Sequence, residues 1–378
     1  MTVPSSNSSK LLVATRKGLF VVEGFGAQAR ITSACFVGDR VALTLVDRRD
    51  GTWYAALDHG HFGIKLHRSR DGGETWPEIA VPAYPPMPEG YAPPPHPFTG
   101  KPIEWALKLI WGMAPGGADE PGVIWCGTMP GGLFKSTDSG ETWELNRPLW
   151  DDPMREVWGP NGAEHPGIHS ICVDPRDARH VSIGVSTGGV WITRDGGKSW
   201  KITGEGFRAD YFPPEQMGLP NNQDVHCLVQ CAANPEVFWV QHHNGIFRST
   251  DGAATWTEIT DVKPSVFGFP VAVHPKDGNT AFFVPSTKDE KRCPTDGKVV
   301  VNRTRDGGKS FQTLSKGLPQ EHAYDLVYRH GLDIDETGDR LAFGSTTGSV
   351  WISEDSGESW QTISSNLPPV YSVRFAKS

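Results

Sequence analysis

Three acidic residues lie shortly before segments rich in β-formers that share a histidine or a tyrosine at one position. Glu164, Asp224 and Glu321 each precede such a segment by a few residues. Glycoside cleavage generally uses two carboxyl groups about 5 to 9.5 Å apart, one of which its surroundings keep protonated. We therefore take these three acids as candidate catalytic residues, and the sequence leaves open which two would pair.

The segments that follow these acids predict a ring of polar side chains. The four that align with one another are 168–171, 225–228, 323–326 and 370–373. Their shared position holds His169, His226, Tyr324 and Tyr371. We expect the four side chains to surround the mouth of a central funnel, where they either bind a ligand or plug the channel through hydrogen bonds to one another.

Long loops supply further candidates for the same face of the molecule. Residues 77–105, 144–167 and 201–224 are rich in aromatic residues and prolines, and long loops in a compact domain are often functional. They could form a wall for sugar rings or for another protein, or they could simply cover the strands beneath them. From the loops we add seven candidate substrate-binding residues: Arg16, His59, His61, Trp105, Trp158, His165 and His242.

An eight-residue motif that occurs six times predicts the scaffold that must position these groups. Its copies are 69–76, 136–143, 193–200, 249–256, 304–311 and 353–360, each with aspartate in third place and an aromatic residue in the last. The aspartate can accept hydrogen bonds from the amides of its own turn, and glycine in fifth place permits a positive φ. The fourth copy has Ala253 there, so we expect some strain in that turn. We call the motif the aspartate turn.

The spacing of the aspartate turns indicates a β-propeller. It ranges from 67 residues, between Asp71 and Asp138, to 49 residues, between Asp306 and Asp355, about the length of one four-stranded blade. Residues 11–22 match the two middle strands of a further blade, and 369–375 match the strand that opens the other blades. We predict an all-β, seven-bladed propeller of four-stranded antiparallel blades, a single domain over 11–378 behind a disordered polar tail at 1–10. The C-terminal strand should join the N-terminal blade and close the ring.

The aspartate turn resembles the Asp-box, or BNR repeat, of sialidases, xyloglucan-cleaving propellers, sortilin and the photosystem II assembly propeller. The resemblance implies that the turns are structural and lie opposite the active face, and that a glycosyl-hydrolase-like propeller acts on or binds carbohydrate at its central funnel. A sialidase carries an Arg-Ile-Pro motif and an arginine triad. The nearest equivalent here, 14–18, contains Arg16 but no Ile-Pro, and the sequence shows no convincing second or third arginine. We therefore do not expect a true sialidase.

Two alternatives remain open at this point. The first is a non-catalytic propeller that binds or assembles proteins, because a lone seven-bladed domain lacks the second domain with which xyloglucanases form a cleft. The second is a metal-dependent site drawn from the 13 histidines. No local spacing specifies such a site, so we predict neither a metal nor a cofactor.

Composition excludes several partners. The net charge is −8 and no basic stripe occurs, which argues against nucleic acid and anionic membranes. No apolar run is long enough to span a bilayer, and the N-terminal ten residues lack the apolar region of a secretory signal. Six scattered cysteines show no zinc-type spacing. We expect a cytoplasmic protein with reduced thiols.

Overall fold

A computed structural model describes residues 10–87, 89–90, 105–159 and 165–376. Seven four-stranded antiparallel sheets form its blades, which confirms the predicted seven-bladed propeller. The predicted tail falls outside the described residues except for Lys10, which already belongs to the first strand. In the described ranges the helical segments have only three or four residues, and none could cross a membrane.

The blades follow one another along the chain. The first seven strands are β1 (Lys10–Thr15), β2 (Gly18–Glu23), β3 (Arg30–Cys35), β4 (Arg40–Asp47), β5 (Thr52–Asp58), β6 (Ile64–Ser69) and β7 (Glu78–Ile79). The next eight are β8 (Leu109–Pro115), β9 (Ile124–Met129), β10 (Leu133–Ser136), β11 (Glu144–Leu145), β12 (Gly167–Val173), β13 (Val181–Ser186), β14 (Gly189–Thr193) and β15 (Lys201–Thr203). Then come β16 (Val225–Gln230), β17 (Phe238–His242), β18 (Ile246–Ser249), β19 (Thr257–Ile259), β20 (Gly268–Val273), β21 (Ala281–Pro285), β22 (Val301–Thr304) and β23 (Gln312–Leu314). The last five are β24 (Leu332–Ile334), β25 (Leu341–Gly344), β26 (Val350–Ser353), β27 (Gln361–Ser364) and β28 (Val370–Ala376). The helical segments are α1 (Arg147–Trp150) and 3-10 turns at Gly26–Gln28, Gly60–Phe62, Pro153–Arg155, Pro220–Asn222 and Thr295–Gly297.

Both chain ends meet in one blade, as predicted. Its strand order is β28-β1-β2-β3, so the C-terminal strand is innermost. Val13 of β1 lies opposite Val373 of β28 in an antiparallel register. The C-terminal strand therefore covers the inner edge of the N-terminal sheet, and the ring is closed by strand pairing.

The core lies between the blades. Five tryptophans are almost fully buried. Trp125, on β9, packs in one apolar cluster with Leu133 of its own blade and with Val181 and Trp191 of the next. Because a large aromatic side chain buries about 150–250 Å², such residues hold each sheet against its neighbour. The five are Trp53, Trp125, Trp191, Trp239 and Trp351.

The aspartate turns join the third and fourth strands of six blades. In the third copy, the Asp195 carboxylate accepts bonds from the Thr193 hydroxyl at 2.7 Å, from the Ser199 amide at 2.9 Å and from the Ser199 hydroxyl at 2.6 Å. The equivalent bonds from Thr142 hold the pKa of Asp138 down at about 2. In the fourth copy Ala253 has φ = 66°, a left-handed conformation that is costly for a residue with a Cβ. The hydrogen bonds to the aspartate carboxylates therefore fix the shape of the turns.

Two buried or nearly buried arginines link neighbouring blades through these turns. Arg68 donates to the Ser139 carbonyl at 2.9 Å and to Glu141 at 2.6 Å. Arg303 makes the same pair of bonds with the turn of the last blade, through the Ser356 carbonyl at 2.7 Å and Glu358 at 2.6 Å. Each of these two turns therefore receives a charged donor from the blade before it.

Candidate functional site

A funnel opens at the end of the central channel away from the aspartate turns. Strands in a blade alternate in direction, so the loops between second and third strands, and the connections to the next blade, lie opposite the turns between third and fourth strands. These loops enclose a cavity of about 790 Å³. The described residues that line it with charged or aromatic groups are Arg16, Arg40, Asp58, Lys108, Trp111, Asp224, His226, His243, Phe269, Asp289, Arg292, Tyr328, Arg329, His330 and Tyr371.

The described lining is rich in arginine. Four arginines and one lysine face three carboxylates, in a chain whose net charge is −8. Two of the arginines are paired, Arg40 with Asp58 at 2.7 Å and Arg292 with Asp289 at 2.5 Å. The funnel therefore contains arginines in addition to Arg16 that no motif in the sequence indicated. The arginines come from different blades, and only the closed ring brings them together.

Arg329 forms the floor of the funnel. Its guanidinium lies 4.8 Å from the ring centre of Trp111 and 5.5 Å from that of Phe269. Its Nε has no hydrogen-bond partner among the described residues. Burial lowers the pKa of Arg329, against a smaller opposing effect from the charge of Asp224. The fold thus holds a largely buried cation at the bottom of an open cavity.

Two neutral histidines close the channel below Arg329. His330 donates through Nε2 to the Trp111 carbonyl at 2.8 Å, and His169 donates through Nε2 to the Val225 carbonyl at 2.7 Å. Burial lowers the pKa of His330 to about 3 and also lowers that of His169. A second cavity of about 410 Å³ begins beneath them and also touches Arg329. His169 is therefore buried and hydrogen-bonded beneath the funnel, and its role as a channel plug stays a prediction.

Asp224, His226 and His243 form a cluster on the funnel wall. Asp224 Oδ2 lies 3.5 Å from Nε2 of His226 and 3.3 Å from Nδ1 of His243. Burial opposes ionisation of Asp224, but its contacts with both histidines outweigh burial and hold the pKa of this carboxyl well below its usual range. Burial lowers the pKa of His226, whereas the contact of His243 with Asp224 outweighs its burial and raises the pKa of His243. Asp224 is therefore a carboxylate at neutral pH, unsuited to the role of proton donor.

Surrounding residues fix the position of Asp224. Its backbone amide donates to the Tyr211 hydroxyl at 3.0 Å, and its carbonyl accepts from the His243 amide at 2.9 Å. Its Oδ1 accepts from the Ser186 hydroxyl at 3.2 Å and from the Thr187 amide at 3.3 Å. Only Oδ2 is left to face the two histidines.

Four of the predicted site residues line the funnel, and their chemical roles stay predictions. They are Arg16, Asp224, His226 and Tyr371. Tyr371 lies under the Arg40 guanidinium, 4.8 Å from it. Glu164, a predicted catalytic residue, lies outside the described residues.

The structure places the predicted residues of the last blade elsewhere. The innermost strand there is β24, at Leu332–Ile334, so the alignment of 323–326 with the other inner strands was wrong. Tyr324 is 67% exposed on a loop and does not join the ring expected of it. Glu321 is exposed on the same loop, and the segment that reaches the funnel instead is 328–330.

Other candidate binding residues pack into the protein. His242 is fully buried against Phe207, with ring centres 5.5 Å apart, and its pKa is lowered to about 3 by burial. Trp158 is buried in the core against Trp191. Trp105 donates to the Pro85 carbonyl at 2.8 Å within an aromatic cluster. These three side chains are therefore packed into the protein, as expected of residues that cover the blades.

The remaining histidine candidates lie away from the described lining of the funnel. His165 is buried. His59 and His61 belong to the 3-10 turn after β5, where Nε2 of His59 lies 3.7 Å from Asp39 and His61 is exposed against Phe62. Sequence reasoning in turn missed Arg40, Trp111, Arg329 and His330, for which no repeated pattern gives a signal.

Comparisons with known proteins agree with the fold and indicate carbohydrate-active relatives. No family model matches this chain. It is 25% identical over 262 residues to the oligoxyloglucan-reducing end-specific xyloglucanase of Emericella nidulans, a match that covers 63% of this chain and 30% of that protein. The chain thus spans about a third of the length of the curated relatives it matches.

Solved structures show the same architecture. An ancestral GH74 enzyme superimposes with a TM-score of 0.56 at 17% identity, over 89% of this chain and 38% of that one. YCF48 from Cyanidioschyzon merolae superimposes with a TM-score of 0.54 at 11% identity, over 90% and 95% of the two chains. At these identities the likeness concerns the fold, because one fold serves many functions.

Proposed function

We propose that this protein is a carbohydrate-active propeller that binds an acidic carbohydrate in its funnel. The observation that carries the proposal is the concentration of arginines around an aromatic-walled cavity in a protein that is otherwise acidic. The xyloglucanase relatives support a carbohydrate as the ligand. The charge of the funnel supports an anionic one.

The basic groups suit a carboxylate. Arginine presents a planar fork of donors that matches the two oxygens of a carboxylate. The Arg329 guanidinium lies over the rings of Trp111 and Phe269, and Arg16 lies exposed on the loop after β1. An excess of positive charge inside a cleft also raises the local concentration of anions.

The cavity has the size and lining of a small-molecule site. Its volume of about 790 Å³ falls within the roughly 300–1,000 Å³ that is typical of ligand pockets. The rings of Trp111, Phe269, Tyr328 and Tyr371 supply apolar surface for the sugar faces. The plug beneath Arg329 limits how deeply a ligand enters.

The arrangement of acids favours binding over hydrolysis. A glycosidase needs one carboxyl group kept protonated. Asp224 is ionised, and Asp58 and Asp289 each form an ion pair with an arginine. The described lining therefore contains no carboxyl group arranged as a proton donor.

The test compares an oligogalacturonide with its methyl ester, a neutral ligand of nearly the same shape, by isothermal titration calorimetry. We expect the acid to bind, the ester to bind at least tenfold more weakly, and added salt to weaken binding of the acid. Arg16→Ala should reduce the affinity. Arg70→Ala, an exposed arginine in the first aspartate turn, is the matched control and should not.

Three results would overturn the proposal. Equal binding of acid and ester would remove the role of the arginines, and absence of binding to any saccharide would favour the alternative of a protein-binding propeller. Release of new reducing ends that disappears in Glu164→Gln or Glu321→Gln would show hydrolysis and contradict a binding role.

A further inference from the structure

The cluster of Asp224, His226 and His243 has the composition of a metal site. We propose that these three side chains bind a divalent first-row transition metal ion on the wall of the funnel. Their potential ligand atoms lie within 4.8 Å of one another. The inference depends only on this cluster and does not need the ligand of the funnel to be a carbohydrate.

Two of the three spacings between ligand atoms fit a tetrahedral metal site. Zinc binds imidazole nitrogen and carboxylate oxygen at about 2.0–2.2 Å, and tetrahedral angles then place two ligand atoms about 3.3–3.6 Å apart. The oxygen-to-nitrogen distances from Asp224 are 3.3 Å to His243 and 3.5 Å to His226. Both are long for a direct hydrogen bond and suited to two ligands that share an ion.

The hydrogen bond of His226 to the Gly268 carbonyl fixes which nitrogen of the ring carries the hydrogen. Its Nδ1 lies 2.7 Å from the Gly268 carbonyl, and since a carbonyl can only accept, Nδ1 carries the proton. In a neutral imidazole Nε2 then has a lone pair and no hydrogen. This lone pair faces Asp224 Oδ2, which is also an acceptor. Two acceptors turned toward each other repel, and a metal ion bound between them would remove this repulsion.

The partners of the remaining atoms match those found around metal ligands. A metal-bound histidine usually donates its other N–H to a carbonyl or carboxylate, as His226 does to Gly268. Its ring is stacked on Phe269, with centres 4.5 Å apart and planes 12° apart. Oδ1 of Asp224 is occupied by Ser186 and Thr187. These contacts would hold two of the three ligands in place before the ion arrives.

The chemistry of the three donors indicates which ions fit. Two imidazoles and one carboxylate suit zinc, iron(II), cobalt(II) or nickel(II) rather than calcium or magnesium, which prefer oxygen. All three residues line the funnel, so the remaining coordination positions are open to water or to a ligand. An anion held by Arg329 would lie near such an ion.

The test uses metal-stripped protein titrated with zinc in a calorimeter, and with cobalt(II) in an absorption spectrometer. We expect one ion per chain and, for cobalt, the d–d absorption bands of a low-coordinate site. His226→Gln and His243→Gln should each weaken binding by about 10-fold to 100-fold or more. His61→Gln is the control, because His61 is an exposed histidine outside the described lining of the funnel, and it should bind as the unchanged protein does.

The outcomes separate this inference from the proposed function. Zinc binding that persists in both the His226→Gln and His243→Gln variants, or the absence of binding of either ion, would overturn the proposed metal site. If His226→Gln fails to fold, the His243→Gln variant decides, because His243 lies on a loop and is partly exposed. Repeating the saccharide titration with stripped and zinc-loaded protein shows whether carbohydrate binding stands or fails independently.

Discussion

Replacing Arg329 with methionine should weaken ligand binding while making the protein more stable. Methionine retains most of the side-chain length and removes the charge. The guanidinium lies largely buried, its Nε lacks a partner among the described residues, and burial lowers its pKa. A basic group whose pKa is lower in the folded chain than in the unfolded chain opposes folding in its charged form. The fold therefore bears an energetic cost at this position.

The two effects of this substitution have opposite signs and can be estimated. Exchanging a buried ionic group for an apolar one often stabilises a protein by about 1–4 kcal/mol. The two cation–π contacts, to Trp111 and Phe269, offset this by about 0.5–1 kcal/mol each, which leaves a net change between about −1 and +3 kcal/mol, centred on a gain of about 1 kcal/mol. Loss of a charge-assisted bond to a carboxylate costs about 1.5–3 kcal/mol, or about 10-fold to 150-fold in Kd.

Chemical denaturation and calorimetric titration with the oligogalacturonide measure the two quantities in the same preparation. Arg70→Ala, on the opposite face, should change neither. If Arg329→Met unfolds at lower denaturant concentration and keeps its affinity, then Arg329 is a structural link between blades. That result would refute both the cost assigned to its charge and its role in binding.

Two further predictions concern the scaffold. Arg303→Ala should destabilise the protein by about 2–4 kcal/mol in denaturant titrations, because it removes the charged donor of the Ser356 carbonyl and opens a gap in the core. An unchanged midpoint of unfolding would mean that the blades do not depend on this link. The pKa values of the turn aspartates are lower in the folded protein than in the unfolded chain, at about 2 for Asp138. The ionised carboxylates therefore stabilise the fold above the unfolded pKa of about 3.9, and this stability is lost as the pH falls through the folded pKa values. Asp138→Asn should therefore lower the stability at pH 7 and flatten the decline of stability toward pH 3. The exposed control Glu74→Gln should do neither. Equal slopes of stability against pH for the two variants would contradict the stabilising role of the Asp138 carboxylate.

The scaffold could be predicted because its signals are local. An aspartate turn is complete within eight residues, and Asp195 finds its partners between Thr193 and Ser199. Such a unit has the same shape wherever it occurs, so its spacing counts the blades. The closure of the ring could also be predicted, because strands are missing from one end of the chain and left over at the other. Asp224, His226 and Tyr371 were found from strand alignment, which carries the same local information.

The working face depends on contacts between distant parts of the chain. Arg40, Arg292 and Arg329 share no motif, and only the circular order of the blades brings them to one cavity. Tyr324 was misplaced because the loop that contains it resembles an inner strand, while the hydrogen-bond register that selects β24 is fixed by pairing with β25. Whether Asp224 stays ionised and how far the pKa of Arg329 is lowered depend on burial and on neighbouring charge. Both are properties of the assembled ring, so the sequence determined the architecture and only the tertiary structure decided what the funnel can bind.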